Sequence, residues 1–223
     1  MGVYGKTAAG PDRAADEPIS SVGAGAPKRR DIEIRVAHSL DEVFMAMAIR
    51  SAVFLAEQSC PYDEEFDGND MTATHLIGFV NREPAATIRV RYFGTFAKME
   101  RMAVRREFRG LPVALKMAHW AIEFVRRKGF RRIVAHTQIG RERFWDVVFR
   151  RYGGYKQIDG WNEFTFSGHS FAPIQVALEP LPGAFAVETD PNILNRPEGD
   201  WDRPGILELG LGTLPAPSVK ARA

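Results

Sequence analysis

Apolar and polar side chains alternate with a period of two over "IEIRV", Ile32–Val36, which predicts a strand with one buried face. Ser39 follows, with Glu42 three residues on. That is the spacing of a capping box, and it predicts a helix running to about Glu57. Thr74–Val80 predicts another strand, and "NREP" after it a turn. Ala85–Phe93 and Ala97–Val104 read as two strands joined at Gly94, a hairpin. With the turn at Gly94-Thr95, Arg89 and Glu100 stand opposite each other on one face.

The period changes at Leu111. Val113, Ala114, Met117, Ala121, Phe124 and Val125 recur at helical spacing, the apolar stripe of a helix beginning at Leu111. Lys116, Glu123 and Arg127 take the other side, and Gly129 supplies the stop. Arg131–Thr137 is apolar on both faces, as a central strand is. A helix over Glu142–Arg151 ends at Gly153-Gly154, and further strands are expected near Tyr155 and over Trp161–Phe166. The order β-α-β-β-β-α-β-α-β predicts an α/β domain with a sheet of mixed direction over residues 32–180. Residues 1–31 hold almost no bulky apolar side chains and are expected to be disordered. Residues 181–223 are rich in proline and glycine. They carry Phe185, Trp201, Ile206 and Leu207, anchors for an extended arm lying on the domain.

At 223 residues, 45% hydrophobic and 26% charged, one sizeable core is expected. The single cysteine, Cys60, allows no intramolecular disulfide, which fits a reducing compartment. No apolar run reaches the ~18 residues of a membrane span, and the N-terminus has no apolar stretch of the secretory type. A cytoplasmic protein with no membrane partner is expected. The net charge of +2 is too weak to imply a nucleic-acid partner and fits a small anionic ligand.

The strand ending at Val104 leads through "RREFRG" into the helix at Leu111. Unpaired amides and the positive end of the helix dipole make such a junction an anion site, and Arg105, Arg106 and Arg109 crowd the same turn. The wider stretch "ERMAVRREFRGLPVA" resembles motif A of the GNAT superfamily, the acyl-CoA-dependent N-acetyltransferases, whose signature is [Q/R]-x-x-G-x-[G/A]. Arg109 takes the first position and Ala114 the last, while Pro112 stands where the first glycine belongs. "IRSAVFLAEQSCPYDEEFDGND" followed by "HLIGF" is similar to the ElaA-like branch. Acyl-homoserine-lactone synthases share a related acidic segment but not motif A. The resemblance spans roughly residues 32–170.

The resemblance implies a GNAT fold, with a mixed, mostly antiparallel sheet flanked by helices. It implies transfer of an acetyl group from acetyl-CoA to a primary amine of a small molecule or protein. It also implies that amides of Arg109, Gly110, Leu111, Val113 and Ala114 hold the pyrophosphate, and that the pantetheine arm pairs with the backbone of Met102, Ala103 and Val104. A proline is favoured in a first helical turn, because the N–H it lacks would be unpaired there. It also removes one phosphate donor, a loss of roughly 1.5–3 kcal/mol where water cannot replace the bond.

Acyl transfer to an amine needs a base for the proton, a donor for the oxyanion and an acid for the leaving thiolate. Glu100 matches the glutamate of the family's "E-R-x-A-V" strand and is the candidate base; a cross-strand ion pair with Arg89 is the alternative. Tyr152 is the candidate acid. Tyr155 is the other candidate, and a core or cap role for Tyr152 is the alternative; "FRRYGGY" lacks the family's tyrosine spacing, and Trp145 in "RFWD" is a second alignment for that position. The acidic run "DEEFDGND" lacks the spacing of a calcium loop, since Thr74 stands where the twelfth-position glutamate belongs. Asp67 and Asp70 read either as a rim for a cationic acceptor or as part of a solvated loop. No metal is expected. Cys60 reads as an inert thiol, His75 as structural, and His119 and His136 as helix-surface and strand residues; His169 carries no assigned role. A monomer or homodimer is expected. The alternatives to an acetyltransferase are an acyl-homoserine-lactone-synthase-like acyltransferase and a non-catalytic CoA-binding sensor.

Overall fold

A computed structural model describes residues 30–184. The expected N-terminal tail and nearly all of the C-terminal extension, with its four apolar anchors, lie outside the described residues. The chain runs through β1 (Ile32–Val36), α1 (Leu40–Arg50, continued by a π turn over Ser51–Leu55) and the single turn α2 (Tyr62–Glu65). Then come β2 (Thr74–Val80), β3 (Glu83–Tyr92), β4 (Ala97–Val104), α3 (Val113–Arg127), β5 (Arg132–Gln138) and α4 (Glu142–Phe149). Two short strands, β6 (Lys156–Gln157) and β7 (Phe164–Phe166), precede β8 (His169–Ala177). The sheet order is β1-β2-β3-β4-β5-β8-β6, with β7 paired to β8. Among the described residues only β4 and β5 run parallel.

Local chemistry sets the boundaries. Ser39 Oγ accepts from the Glu42 amide at 3.3 Å and starts α1. Glu42 returns its carboxylate to the His38 amide at 2.8 Å, one residue earlier than a capping box would have it. Asn81 and Arg82, at φ 50° and 70°, form the two-residue turn that the twist of a hairpin favours, so β3 begins at Glu83 rather than Ala85. Gly110 at φ 82° breaks the chain direction after β4. The helix therefore starts at Val113, two residues later than the apolar stripe implied, with the Pro112 carbonyl accepting its first bond from the Lys116 amide at 2.9 Å. Pro173 inside β8 hid that strand, because proline argues against a strand interior.

The two faces of the sheet carry different layers. α3 and α4 cover one face, where Val113, Met117, Ala121, Val148 and Phe149 pack on Ile88, Val90, Met99, Ile133, Ala135 and Ile174. α1 covers part of the other, where Ala46, Ile49 and Val53 pack on Ile77, Phe79 and Ala103. α3 lies very close to β2: a Cβ on Gly78 would come within 2.7 Å of Met117 Cε and 3.0 Å of Val113 Cγ2. That contact seats the first turn of α3 firmly over the sheet. Among the described residues, no helix is long and apolar enough to cross a membrane.

Candidate active site

β4 and β5 pair only at Ala97–Met99 against Ile133–Ala135. Beyond that, β4 continues to Val104 and β5 to Gln138 without pairing with each other, so a wedge opens between neighbouring strands. β4 is also bulged beside the wedge. Glu100 and Ala103 pair with Arg89 and Thr87, three steps on β4 against two on β3, and Arg101 and Met102 have no register partner on β3. Arg101 sits at φ 55°, a left-handed conformation that costs a long side chain on the order of 1–3 kcal/mol. Its own guanidinium helps hold it there. It donates to the Glu64 carbonyl at 2.6 Å, pairs with Glu65 at 3.1 Å and lies over the Phe166 ring.

The α3 end of the wedge offers bare amides. No side chain caps the helix, and the first internal bond comes only at Lys116, so the amides of Val113, Ala114 and Leu115 precede it without an internal partner. Two of the donors implied by the family resemblance are differently placed. The Arg109 amide bonds the Arg106 carbonyl at 3.2 Å, and the Leu111 amide bonds Phe108 at 3.4 Å, both within the turn. The Arg109 side chain donates to the Val104 carbonyl at 3.1 Å and to Glu57 at 2.7 Å. Arg106 is mostly exposed, with Glu57 at 3.7 Å.

On the α1 face the acidic segment folds inward. Arg50 and Arg89 are both fully buried. Arg50 donates to Glu65, to the Glu65 carbonyl at 2.9 Å and to Asp70 at 2.5 Å. Arg89 holds Asp67 bidentately at 2.8 and 2.7 Å, Asp70 at 2.7 Å and Glu100 at 2.8 Å. Lys98 meets the other oxygen of Glu100 at 2.8 Å. Arg91 approaches Glu100 as well, at 3.6 Å, so four carboxylates (Glu65, Asp67, Asp70, Glu100) face five cations, Arg50, Arg89, Arg91, Arg101 and Lys98. The bonds from Arg89 hold the Asp67 carboxyl well below its ordinary range. Burial works against ionisation of Asp70 and Glu100. For Asp70 the bonds from Arg50 and Arg89 outweigh it, and for Glu100 those from Lys98 and Arg89 do, so both stay below the ordinary range. Burial pushes Glu65 up, against the pull of Arg50. The loop is therefore neither a free anionic rim nor a solvated connection: Asp67 and Asp70 are committed inside the chain, and Glu100 has the cross-strand pairing with Arg89 that its position allowed.

Tyr152 lies on the opposite face, against the α3–α4 core, and donates to Glu123 at 2.7 Å. Burial, followed by that carboxylate, pushes its phenol up to about 12. Trp145 is buried and stacks on Phe149 at 5.2 Å. The Tyr155 phenol is raised by burial and by Asp146. Glu100 and Tyr152 are thus not brought together. Cys60 is buried, with the Ser167 hydroxyl at 3.0 Å; Ser167 also donates to Glu64 at 2.6 Å, tying the β7–β8 turn to the acidic segment. His75 is buried, its Nε2 2.9 Å from the Asp70 carbonyl, and His119 Nε2 lies 3.2 Å from the Val148 carbonyl between α3 and α4. Among the described residues, no group of histidine, cysteine and carboxylate side chains is placed to hold a metal.

A wedge between parallel strands, a bulge on the strand before it and a bare helix start are a specific combination, and the family described as "Acetyltransferase (GNAT) family" matches residues 43–147. Over those residues the chain is similar to the GNAT acetyltransferases. A protein of Bacillus subtilis (strain 168) named as an acetyltransferase is 26% identical over 140 residues, 61% of this chain and 90% of its own length. Protein ElaA of Escherichia coli (strain K12) is 37% identical over 54 residues, 23% of this chain and 35% of ElaA. The crystal structure of Escherichia coli ElaA superposes with a TM-score of 0.55 at 21% identity, covering 66% of this chain and 99% of that one. A Pseudomonas aeruginosa acyl-CoA N-acyltransferase gives 0.56 at 20% identity, with 66% and 100% covered. The two structures speak for the fold alone. The domain has the GNAT fold, with the mixed, mostly antiparallel sheet and flanking helices of its neighbours, and the GNAT family uses an acyl-CoA as co-substrate.

Proposed function

We propose that the protein transfers an acetyl group from acetyl-CoA to a primary amine. The observation that carries this is the wedge: an unpaired β4 edge over Met102, Ala103 and Val104 leads directly to the uncapped start of α3. A pantetheine arm can add to that edge as a strand does, with its pyrophosphate on the Val113 and Ala114 amides. Gly110 allows the close approach, and Arg109 can turn from Glu57 to a phosphate. A backbone amide of the Met102–Val104 stretch, beside the bulge, is the donor for the oxyanion. The ion cluster holds five cations against four carboxylates, so Asp67 and Asp70 give a cationic acceptor no net attraction, and the acceptor is specified only as an amine. The family pattern proposes Glu100 as base and Tyr152 as acid. Glu100 enters with its lone pairs already held, and a phenol near 12 is a weak proton donor to a thiolate.

Release of free thiol from acetyl-CoA, followed across a panel of primary amines, tests the reading. At least one amine should give turnover together with an acetylated product by mass. Binding of acetyl-CoA without turnover on any amine would instead favour the non-catalytic sensor.

A further inference from the structure

The proton leaving the acceptor nitrogen needs a group whose lone pair is not already engaged. Such a group sits across the wedge from Glu100. His136 is one residue past Ala135, the last residue of β5 paired to β4, so it is the first β5 residue beside the opening. Ile133 and Ala135 face the α3 core, which puts His136 on the other face, with Glu100 and Arg89. Phe164 of β7 meets the imidazole edge-on, with ring centroids 4.8 Å apart at 75°. Among the described residues the His136 imidazole makes no hydrogen bond and no ion pair. The charged groups facing it are Lys98, Glu100 and Arg101, all on β4; β7 and β8 bring Phe164 and Pro173. Burial, reinforced by Lys98, pushes the imidazole down to about 4, so the ring is neutral at neutral pH.

Resting on the acyl-transfer reading above, we propose that His136 takes the proton from the acceptor amine. The neutral amine attacks the thioester carbonyl carbon. The C–N bond forms, and the C–S bond then breaks with its electron pair left on sulfur. In the tetrahedral adduct the nitrogen is cationic and far more acidic than a free alkylammonium, so a weakly basic ring suffices to accept its proton. The imidazolium passes that proton to the coenzyme thiolate or to water. The products are the amide and the free thiol, and His136 is neutral again. Lys98 and Arg101 make the imidazolium short-lived, while Glu100 opposes them.

The test uses the full chain, acetyl-CoA and whichever amine of the panel turns over fastest. His136→Gln should lower kcat by about a hundredfold, within the range of a single general base, while calorimetric affinity for acetyl-CoA and the melting temperature stay at wild type. His136→Ala should be equally slow and regain at least about tenfold of its rate when imidazole is added, a response that a merely structural role would not produce. Glu100→Gln should show no such rescue. A wild-type rate for His136→Gln would overturn the proposal and leave acyl transfer standing. So would a slow His136→Ala that binds acetyl-CoA normally and ignores imidazole. If the wild-type chain acetylates no amine, both readings fall together, before any variant is made.

Discussion

The run Tyr62–Asp70 puts five carboxylates into nine residues, and the run Arg105–Ala114 puts three arginines into ten. In the first, Arg50, Arg89 and Arg101 come up to Glu65, Asp67 and Asp70, while Glu64 accepts from Ser167 and Asp63 stays at the surface. In the second, Arg105 turns to Glu107 and Arg109 to Glu57, Arg106 stays mostly exposed, and the backbone amides of Val113, Ala114 and Leu115 remain open. The more heavily charged segment thus has little left to offer a ligand, and the less conspicuous one has several directed donors. Binding capacity follows the hydrogen-bonding valence that folding leaves unused, not the charge written along the chain.

The sharpest way to break this comparison is to remove the centre of the closed cluster. Arg89→Ala strands Asp67, Asp70 and Glu100 without their shared partner, and loss of one side of a buried pair costs about 3–5 kcal/mol. The denaturant midpoint should fall accordingly, with the slope of the transition unchanged. A change within experimental error would mean that the guanidinium is not structural, and would return the acidic segment to ligand binding.

Acid should act next most strongly, and on the same residues. The Asp67, Asp70 and Glu100 carboxyls lie below their ordinary range when folded, so their contribution is fully present above the unfolded values near about 4 and is lost as pH falls through the depressed folded ones. Glu65 has the opposite sign, since burial raises it. Stability should therefore drop steeply below about pH 4, and less steeply in Asp70→Asn, which starts lower by about 2–3 kcal/mol. Equal slopes in urea titrations of the two chains between pH 5 and about 2 would remove Asp70 from the account. If Asp67→Asn with Asp70→Asn instead raised the acceptor KM at unchanged melting temperature, the acceptor-rim role would be restored.

Much of the fold was legible because period-two and helical patterns are local. Ile32–Val36, Thr74–Val80, Ala97–Val104 and the stripe Val113–Val125 each announce themselves. Even the Arg89–Glu100 pairing followed from the position of one turn. The closed cluster was not legible, because Arg50, Arg89 and Arg101 are separated along the chain from the carboxylates they meet, and topology alone brings them together. The left-handed Arg101 carries no glycine or asparagine to signal it. His136 reads as an ordinary strand residue until β4 and β5 are seen to part beside it. Pro112 marked the helix start to within a residue, but the donors lost from the turn, those of Arg109 and Leu111, depend on bonds no motif encodes.

The smallest expected effect concerns that proline. Pro112 has φ −72° and ψ 8°, and its ring fixes the approach to α3. Pro112→Gly should lower stability by about 1 kcal/mol through the unfolded chain and tighten acetyl-CoA by no more than severalfold through the restored amide. Weaker binding in that variant would show that the proline shapes the loop and that no donor is wanted at its position.

The most direct test of the contrast is calorimetric titration of acetyl-CoA into the full chain and into Ala114→Glu. The variant places a carboxylate among the bare amides, where it suits the helix dipole and leaves the ion cluster untouched. Clear binding by the wild-type chain is expected, with at least a tenfold loss in the variant, about 1.4 kcal/mol, and a melting temperature equal to wild type or slightly higher. Equal affinity in the two chains, or no binding by the wild type at millimolar ligand, would contradict it.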